Sequence, residues 1–314
     1  MVSATSLWHI NPYHSELRSE SSNPIPDTIP LYSLYSLISI GTERIVATGK
    51  VPSNLYSHMR VPYMEGDFNF PLKYGYSLIA ADEKGKKYHI MHPHQTNIYV
   101  NRGDPYLLPD HLPAKRATLI SNLETACNGY WDGNPAVNEK ILIVGFGLIG
   151  ALLAVWIKLK GHGKVSVLES NSHRRNLALK LGFEIIDESV SEKFELLYNT
   201  TSNSSGLQFC IDHANLEGRI VEMSWFGTQP VTVKLGESFH INRLSIKSSQ
   251  VSRIPAQMKN IWNVESRKQE VIKMLQSEVW DELIESETSL KNAINWFDKI
   301  RSGPIDPLSL VIKY

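Results

Sequence analysis

Hydrophobic positions change their rhythm about 120 residues into the chain. Before that point, short runs rich in Tyr, Ile, Leu and Val, such as Leu31–Ile40 and Tyr88–Met91, are broken by Pro, Gly and Asn. That pattern predicts irregular β-rich structure, with Pro24, Pro26 and Pro30 punctuating an early loop. Beyond it the runs lengthen and alternate. Lys140–Val144 reads as a compact apolar strand, and Leu148–Leu159 as an almost wholly apolar helix of the kind that packs on a buried sheet. Lys164–Leu168, Glu184–Ile186, Phe194–Tyr198 and Arg219–Met223 read as further strands, with helices at Ser172–Leu181 and Ser204–Asn215 between them. Strand alternating with helix predicts parallel βαβ units and a sheet covered on both faces. The chain therefore reads as α/β, with a doubly wound domain at 123–252. Val264–Gln276 and Leu290–Ile300 follow as amphipathic helices and Leu308–Ile312 as a closing strand. This tail is too short to stand alone, so 253–314 is expected to fold back onto 1–122, leaving the doubly wound domain as an insertion.

Gly145-Phe146-Gly147-Leu148-Ile149-Gly150 falls between the first of these strands and its helix. A G-x-G-x-x-G is weak evidence alone, but this context raises its value. Gly145 permits the tight turn, Gly147 lets the backbone approach a pyrophosphate, and Gly150 allows close packing of helix on strand. The amides at the start of the helix, Leu148 and Ile149 among them, then face the phosphates. Glu169, nineteen residues past the last glycine, ends the second strand, where a carboxylate accepts from adenosine ribose hydroxyls and repels a 2′-phosphate. NAD is accordingly expected over NADP, although His173, Arg174 and Arg175 follow closely and offer partners for a phosphate if they are not simply a solvated helix start. Strand ends line the ligand crevice of such sheets, which brings in loops at Thr200–Thr201, Ser224–Gly227 and Ser248–Gln250. Thr200, Trp225 and Ser249 are the candidate cofactor contacts there. A methyltransferase places a glycine loop and an acid in the same way, so context alone leaves that use open.

Composition narrows the partners. Thirty-two Lys plus Arg balance thirty-two Asp plus Glu in 314 residues, so no basic surplus invites nucleic acid. Two cysteines, Cys127 and Cys210, make neither a disulfide scaffold nor a cysteine-rich zinc lobe and suit a reducing cytoplasm. Residues Met1–Ser21 have no apolar core, so they do not read as a signal peptide. Ile141–Ile157 is seventeen residues without a charge, the lower limit for a membrane helix. Three glycines within its first ten residues argue for a turn instead, and no membrane partner is expected.

Several segments carry a resemblance to a known family. Ser39-Ile40-Gly41-Thr42-Glu43 within Leu31–Lys50, Leu107-Leu108-Pro109-Asp110, the glycine turn with Glu169 and Arg174, and Ile300-Arg301-Ser302-Gly303 occur here in one order. In that order they resemble the medium-chain dehydrogenase/reductases, the superfamily of zinc-type alcohol dehydrogenases. Glu65-Gly66-Asp67-Phe68, Lys73-Tyr74-Gly75-Tyr76, His92-Pro93-His94-Gln95, Asn122-Leu123-Glu124-Thr125 and Ser248-Ser249-Gln250 resemble phrases of its threonine-dehydrogenase-like and bacteriochlorophyllide-dehydrogenase-like subgroup. The resemblance implies a GroES-like β-rich catalytic domain with an inserted Rossmann domain. It also implies hydride transfer between nicotinamide and a small-molecule substrate in an interdomain cleft, and a homodimer joined through strands near Thr232–Lys234 and Leu244–Ser248.

Where zinc-dependent members have metal ligands, this sequence places Ser39, Tyr76 and Ser121, which are poor zinc ligands beside thiolate or imidazole. The cofactor expected is therefore NAD or NADP, with no zinc. His92 and His94 with His89 or Glu124 offer a different metal site only if a third ligand converges. Without metal, the negative charge that hydride addition puts on a carbonyl oxygen falls to protein donors. The candidates around the vacated position are Ser39, Glu43, Tyr76, His94 and Glu124. Tyr76 or His94 would supply the proton and Glu124 would orient either. Each also has a plain reading: Tyr76 as filler, His94 as a buried structural histidine, Glu124 as a helix cap. Reduction of an enone or quinone needs no metal either, and a dinucleotide-binding protein without catalysis stays open.

Overall fold

A computed structural model describes residues 2–22 and 26–314. The chain divides into two compact units: Met1–Ser121 together with Met274–Tyr314, and Asn122–Lys273. The observed fold is the expected one, a GroES-like β-rich unit interrupted by a Rossmann unit with a parallel sheet.

The first unit is built on a sheet ordered Ser286–Ser289, Leu310–Lys313, Thr28–Ile38, Leu78–Ala81, Lys87–Ile90 and Tyr106–Leu107, with Asn97–Asn101 also pairing onto Thr28–Ile38. A smaller sheet is ordered His14–Ser22, Val2–Asn11, Leu72–Lys73, Glu65–Gly66. Thr28–Ile38 alternates inward Leu31 and Ser33 with outward Pro30 and Tyr32, as a half-buried strand must. The register against Leu78–Ala81 then slips between Ser33 and Tyr35. This bulge turns Ser36, which is fully buried, toward the interior. Pro24 lies outside the described residues, and Pro30 is not in a loop but in this strand, opposite Tyr99, near the strand start where proline is tolerated. The amphipathic helix Leu290–Ser302 buries Leu290, Ala293, Phe297 and Ile300 against Leu7, Ile38, Leu310 and Ile312.

In the second unit six strands run parallel in the order Glu184–Ile185, Val165–Leu168, Ile141–Val144, Phe194–Asn199, Ala214–Glu222, Ser245–Ser248. Counted along the chain that is 3-2-1-4-5-6, the order of dinucleotide-binding sheets. The connections reverse direction between the first strand and the fourth, the position at whose carboxyl ends sheets of this order bind their ligands. The uncharged run at 141–157 is a strand, a turn and the helix Leu148–Leu159. No helix among the described residues is long and apolar enough to cross a membrane. Leu152, Leu153, Trp156 and Ile157 of that helix are fully buried, each side chain contributing about 1.5–3 kcal/mol by its burial.

Two local differences from the sequence pattern have physical reasons. Thr232–Lys234 is irregular, its amides spent on Ser204 Oγ and Gln208 Oε1 of a neighbouring helix. The second unit continues to Lys273, well past 252. Arg267 of helix Val264–Met274 is the anchor, reaching Glu124 Oε1 (3.3 Å), Asn128 Oδ1 (3.1 Å) and the Val251 carbonyl (2.6 Å).

Candidate cofactor-binding and catalytic residues

The three glycines of the turn answer to different demands. Gly145 has φ +92°, and a Cβ there would stand 2.9 Å from Thr200 Oγ1. A Cβ on Gly150 would stand 2.1 Å from the Gly145 carbonyl oxygen. The chain itself requires both. At Gly147 the backbone is ordinary (φ −70°, ψ 179°), and a Cβ would meet only Arg174 Nη1, at 3.8 Å. Nothing in the chain requires glycine there, whereas close approach of a phosphate to the helix start would. Gly147 is also the N-cap of helix Leu148–Leu159 and offers no side-chain cap, so the amides of Leu148, Ile149 and Gly150 point outward without intrahelical partners. These residues fit the pyrophosphate of a dinucleotide.

Glu169 is 8% exposed. Its Oε2 accepts from Phe146 N inside the glycine turn (2.6 Å) and its Oε1 from Asn171 N (2.8 Å), so it fastens the turn to the end of the second strand. Each oxygen keeps a lone pair for a ribose hydroxyl. The Asn171 side chain caps helix Ser172–Lys180 by accepting from Arg174 N, which directs the Arg174 guanidinium toward Gly147. Arg175 is held by Asp187 (3.2 Å) and the Glu169 carbonyl. Thr200 Oγ1 donates to the Gly145 carbonyl (2.8 Å) and so braces the turn. Ser249 Oγ donates to Asp132 Oδ2 (2.7 Å), committing its hydroxyl to helix Ile120–Gly133, while Trp225 is half-buried in the loop after the fifth strand. Sequence reasoning missed Asn199 and Glu222, the terminal residues of the fourth and fifth strands, joined by a 2.6 Å bond from Asn199 Nδ2 to Glu222 Oε2. Burial raises the Glu222 pKa, opposed by hydrogen bonds from Asn199 and Ser224. The signal available was a polar residue closing an otherwise apolar strand.

In the first unit, Ser39 caps helix Ile40–Ala47 and its N–H donates to Glu43 Oε1 (2.7 Å), a carboxylate reaching back as in a capping box. Glu43 Oε2 lies 3.0 Å from His94 Nε2, and His94 Nδ1 lies 2.7 Å from Ser36 Oγ. Tyr314 Oη completes the chain at 2.8 Å from Ser36 Oγ. With Glu43 accepting, the proton is assigned to Nε2 and Nδ1 accepts from Ser36. Glu43, His94 and Ser36 are all fully buried. Gly75, at φ +139°, makes room for this ring: a Cβ there would stand 3.2 Å from His94 Nε2. His94 thus has both nitrogens engaged and no surface to offer a substrate.

Tyr76 is half-buried, and its phenol is hydrogen-bonded to Ser39 and Thr42. Burial pushes its pKa up to about 12, with the Glu43 charge adding and the two hydrogen bonds opposing. Ser121 Oγ donates to the Tyr76 carbonyl (2.9 Å) and accepts from His89 Nε2 (3.0 Å). The Tyr76 phenol thus meets Ser39, while Ser121 meets the Tyr76 backbone; all three offer hydroxyls rather than thiolate or imidazole, a donor set that does not fit zinc. Among the described residues no three His, Cys, Asp or Glu side chains converge as a metal site. His92 turns to another task, stacked on Tyr63 with ring centres 5.0 Å apart and bonded to the Pro93 carbonyl. Burial pushes its pKa down to about 4. Glu124, 7% exposed, pairs with Arg267. It lies beyond the first turn of helix Ile120–Gly133, which holds no acidic residue, so it does not cap that helix.

Taken together the two units define a class by architecture, the alcohol-dehydrogenase-like fold. Among solved structures that share it, L-idonate 5-dehydrogenase from Escherichia coli superposes with a TM-score of 0.80 at 11% identity, covering 100% of this chain and 99% of that one. Acetophenone reductase from Geotrichum candidum in complex with NAD gives 0.78 at 14% identity over 99% and 97%. An E. coli alcohol dehydrogenase complexed with NADH gives 0.77 at 15% over 99% of both chains. At these identities the likeness speaks for the fold. No protein-family model matches the sequence, and no curated protein matches it.

Proposed function

We propose that this chain is an NAD(P)-dependent, zinc-independent oxidoreductase of the medium-chain dehydrogenase/reductase type that interconverts a small carbonyl compound and its alcohol. The observation that carries the proposal is Gly147, a helix N-cap with ordinary backbone angles whose missing Cβ leaves room for nothing in the chain itself. When bound, a nicotinamide supplies or accepts the hydride. The second unit contributes the helix amides and Arg174 to the diphosphate and Glu169 to the adenosine ribose. Glu169 favours NAD, since its carboxylate repels a 2′-phosphate and Arg175 is already held by Asp187.

The first unit contributes the hydroxyl cluster. Tyr76, neutral near pH 7 as a phenol is and held further from ionisation by burial, donates a hydrogen bond to the oxygen on which alkoxide charge develops and passes its proton there in the reducing direction. Ser39 and Thr42 orient the phenol. Glu43 holds the Ser39 end of the helix and His94 holds Glu43, so these two are positioning residues. A homodimer through the open edge strand Ser245–Ser248, whose residues are all exposed, belongs to the same proposal. So does a reducing cytoplasm, which suits the buried free thiols of Cys127 and Cys210.

The test is calorimetric titration with NADH and NADPH, followed by a panel of carbonyl substrates. Binding of NADH tighter than NADPH, with turnover lowered about 10²–10⁴-fold by Tyr76→Phe at unchanged NADH affinity, is expected. Binding of neither nucleotide overturns the proposal. Binding without turnover on a broad panel of carbonyls, enones and quinones would leave a sensor rather than an enzyme.

A further inference from the structure

At the carboxyl edge of the parallel sheet, Asn199, Glu222 and Ser248 end three adjacent strands side by side in register. Glu222 follows Ile220 and Val221, each 1% exposed, and is itself half-buried. Its carboxylate is fixed. Oε2 accepts from Asn199 Nδ2 at 2.6 Å and Oε1 from Ser224 N at 2.8 Å. Asn199, fully buried, is oriented in turn, because its Oδ1 accepts from Thr201 N (3.2 Å) and Thr201 Oγ1 (2.8 Å). The amide cannot flip away from Glu222 without losing both bonds. Among the described residues the groups set against this carboxylate are neutral: the Asn199 amide, the Ser224 backbone and hydroxyl, and the buried Cys210 thiol. A half-buried anion with neutral neighbours bears a desolvation cost that a cation would relieve.

The sheet position says which cation. In a 3-2-1-4-5-6 sheet each half holds one mononucleotide. The glycine turn and Glu169 belong to the first three strands, so the second mononucleotide falls to the ends of strands four to six. Resting on the dinucleotide reading above, we propose that Glu222 is the counter-charge to the nicotinamide ring, so that the site favours the cofactor whose ring is oxidised and positively charged over the one whose ring is reduced and neutral. Asn199 and Ser224 are positioning residues for it.

Calorimetry with NAD⁺ and with NADH on the full chain tests this. Glu222→Gln should weaken NAD⁺ about tenfold while moving NADH by less than about twofold, a modest effect for one charge at an effective dielectric of about 20. Glu222→Asp, which keeps the charge, should retain the wild-type ratio of the two affinities. If Glu222→Gln does not fold, Ser224→Lys sets an ammonium against the carboxylate and should lower the same ratio. An unchanged ratio in Glu222→Gln or Ser224→Lys overturns the proposal, as does equal loss of both nucleotides in the Gln and Asp variants. Failure of the wild type to bind either nucleotide is a separate result and overturns the dinucleotide reading with it.

Discussion

Replacing Gly147 by alanine should separate cofactor binding from folding. The new methyl group would have Arg174 Nη1 as its one near neighbour, 3.8 Å away, an ordinary van der Waals contact. Backbone strain is absent at φ −70°. Alanine gains about 0.4–1 kcal/mol through the unfolded chain and gives back a similar amount as a poorer N-cap than glycine, so stability should stay within about 1 kcal/mol of wild type. The methyl nevertheless occupies the side from which a diphosphate reaches the helix amides. Losing close approach to two or three of those amides should weaken NADH by about 10- to 100-fold, or about 1.4–2.8 kcal/mol. Gly150→Ala is the contrast. Its Cβ, 2.1 Å from the Gly145 carbonyl oxygen, forces the turn and helix apart and should cost about 3 kcal/mol or more. Urea denaturation measures the first quantity and calorimetry the second. If Gly147→Ala binds NADH as wild type does, or unfolds as readily as Gly150→Ala, the account of this turn is wrong.

Two further outcomes concern the buried histidines. The His92 pKa falls from 6.5 to about 4 on folding, so the unfolded chain binds the extra proton first as pH drops. Stability from this residue is whole above pH 6.5 and is lost between about 6.5 and 4, to the extent of about 3 kcal/mol. His92→Phe, which can keep the stack on Tyr63, should flatten urea-midpoint curves over that window, and an unchanged slope would contradict the assignment. His94→Ala takes one of two hydrogen-bond donors from the buried Glu43 carboxylate, leaving it only the Ser39 amide, and opens a cavity beside it, so it should cost about 2–5 kcal/mol. A loss below 1 kcal/mol in chemical denaturation would mean that the pair does not organise this part of the unit.

Much of the second unit is readable in the sequence because its signals are local. A buried parallel strand is an apolar run, and the helix after it is apolar nearly all round, so 141–159 is bounded to within a residue. The start of Ala214–Glu222 is hidden because Asn215, Glu217 and Gly218 interrupt any apolar pattern, and Asn215–Glu217 are exposed in the strand. The site is less legible for the same reason. Ser39 and Glu43 are one helical turn apart, so their bond follows from spacing. His94 meets Glu43 from fifty-one residues away, and no periodicity encodes that. Its approach depends on Gly75 and on the bulge that turns Ser36 inward. Arg267, the partner of Glu124, is 143 residues distant, which is why an orienting role near Tyr76 looked natural from the sequence.

The pairing of Leu310–Lys313 with Tyr35–Ile38 sets an order of assembly. Every strand of the Rossmann sheet has emerged from the ribosome before the partner of Ile38 is made. The inserted unit is contiguous and can therefore close its own core while the surrounding unit still has an open sheet edge along Tyr35–Ile38. The unit that begins first finishes last. During synthesis the exposed edge, rather than the nucleotide fold, is where a chaperone would be needed.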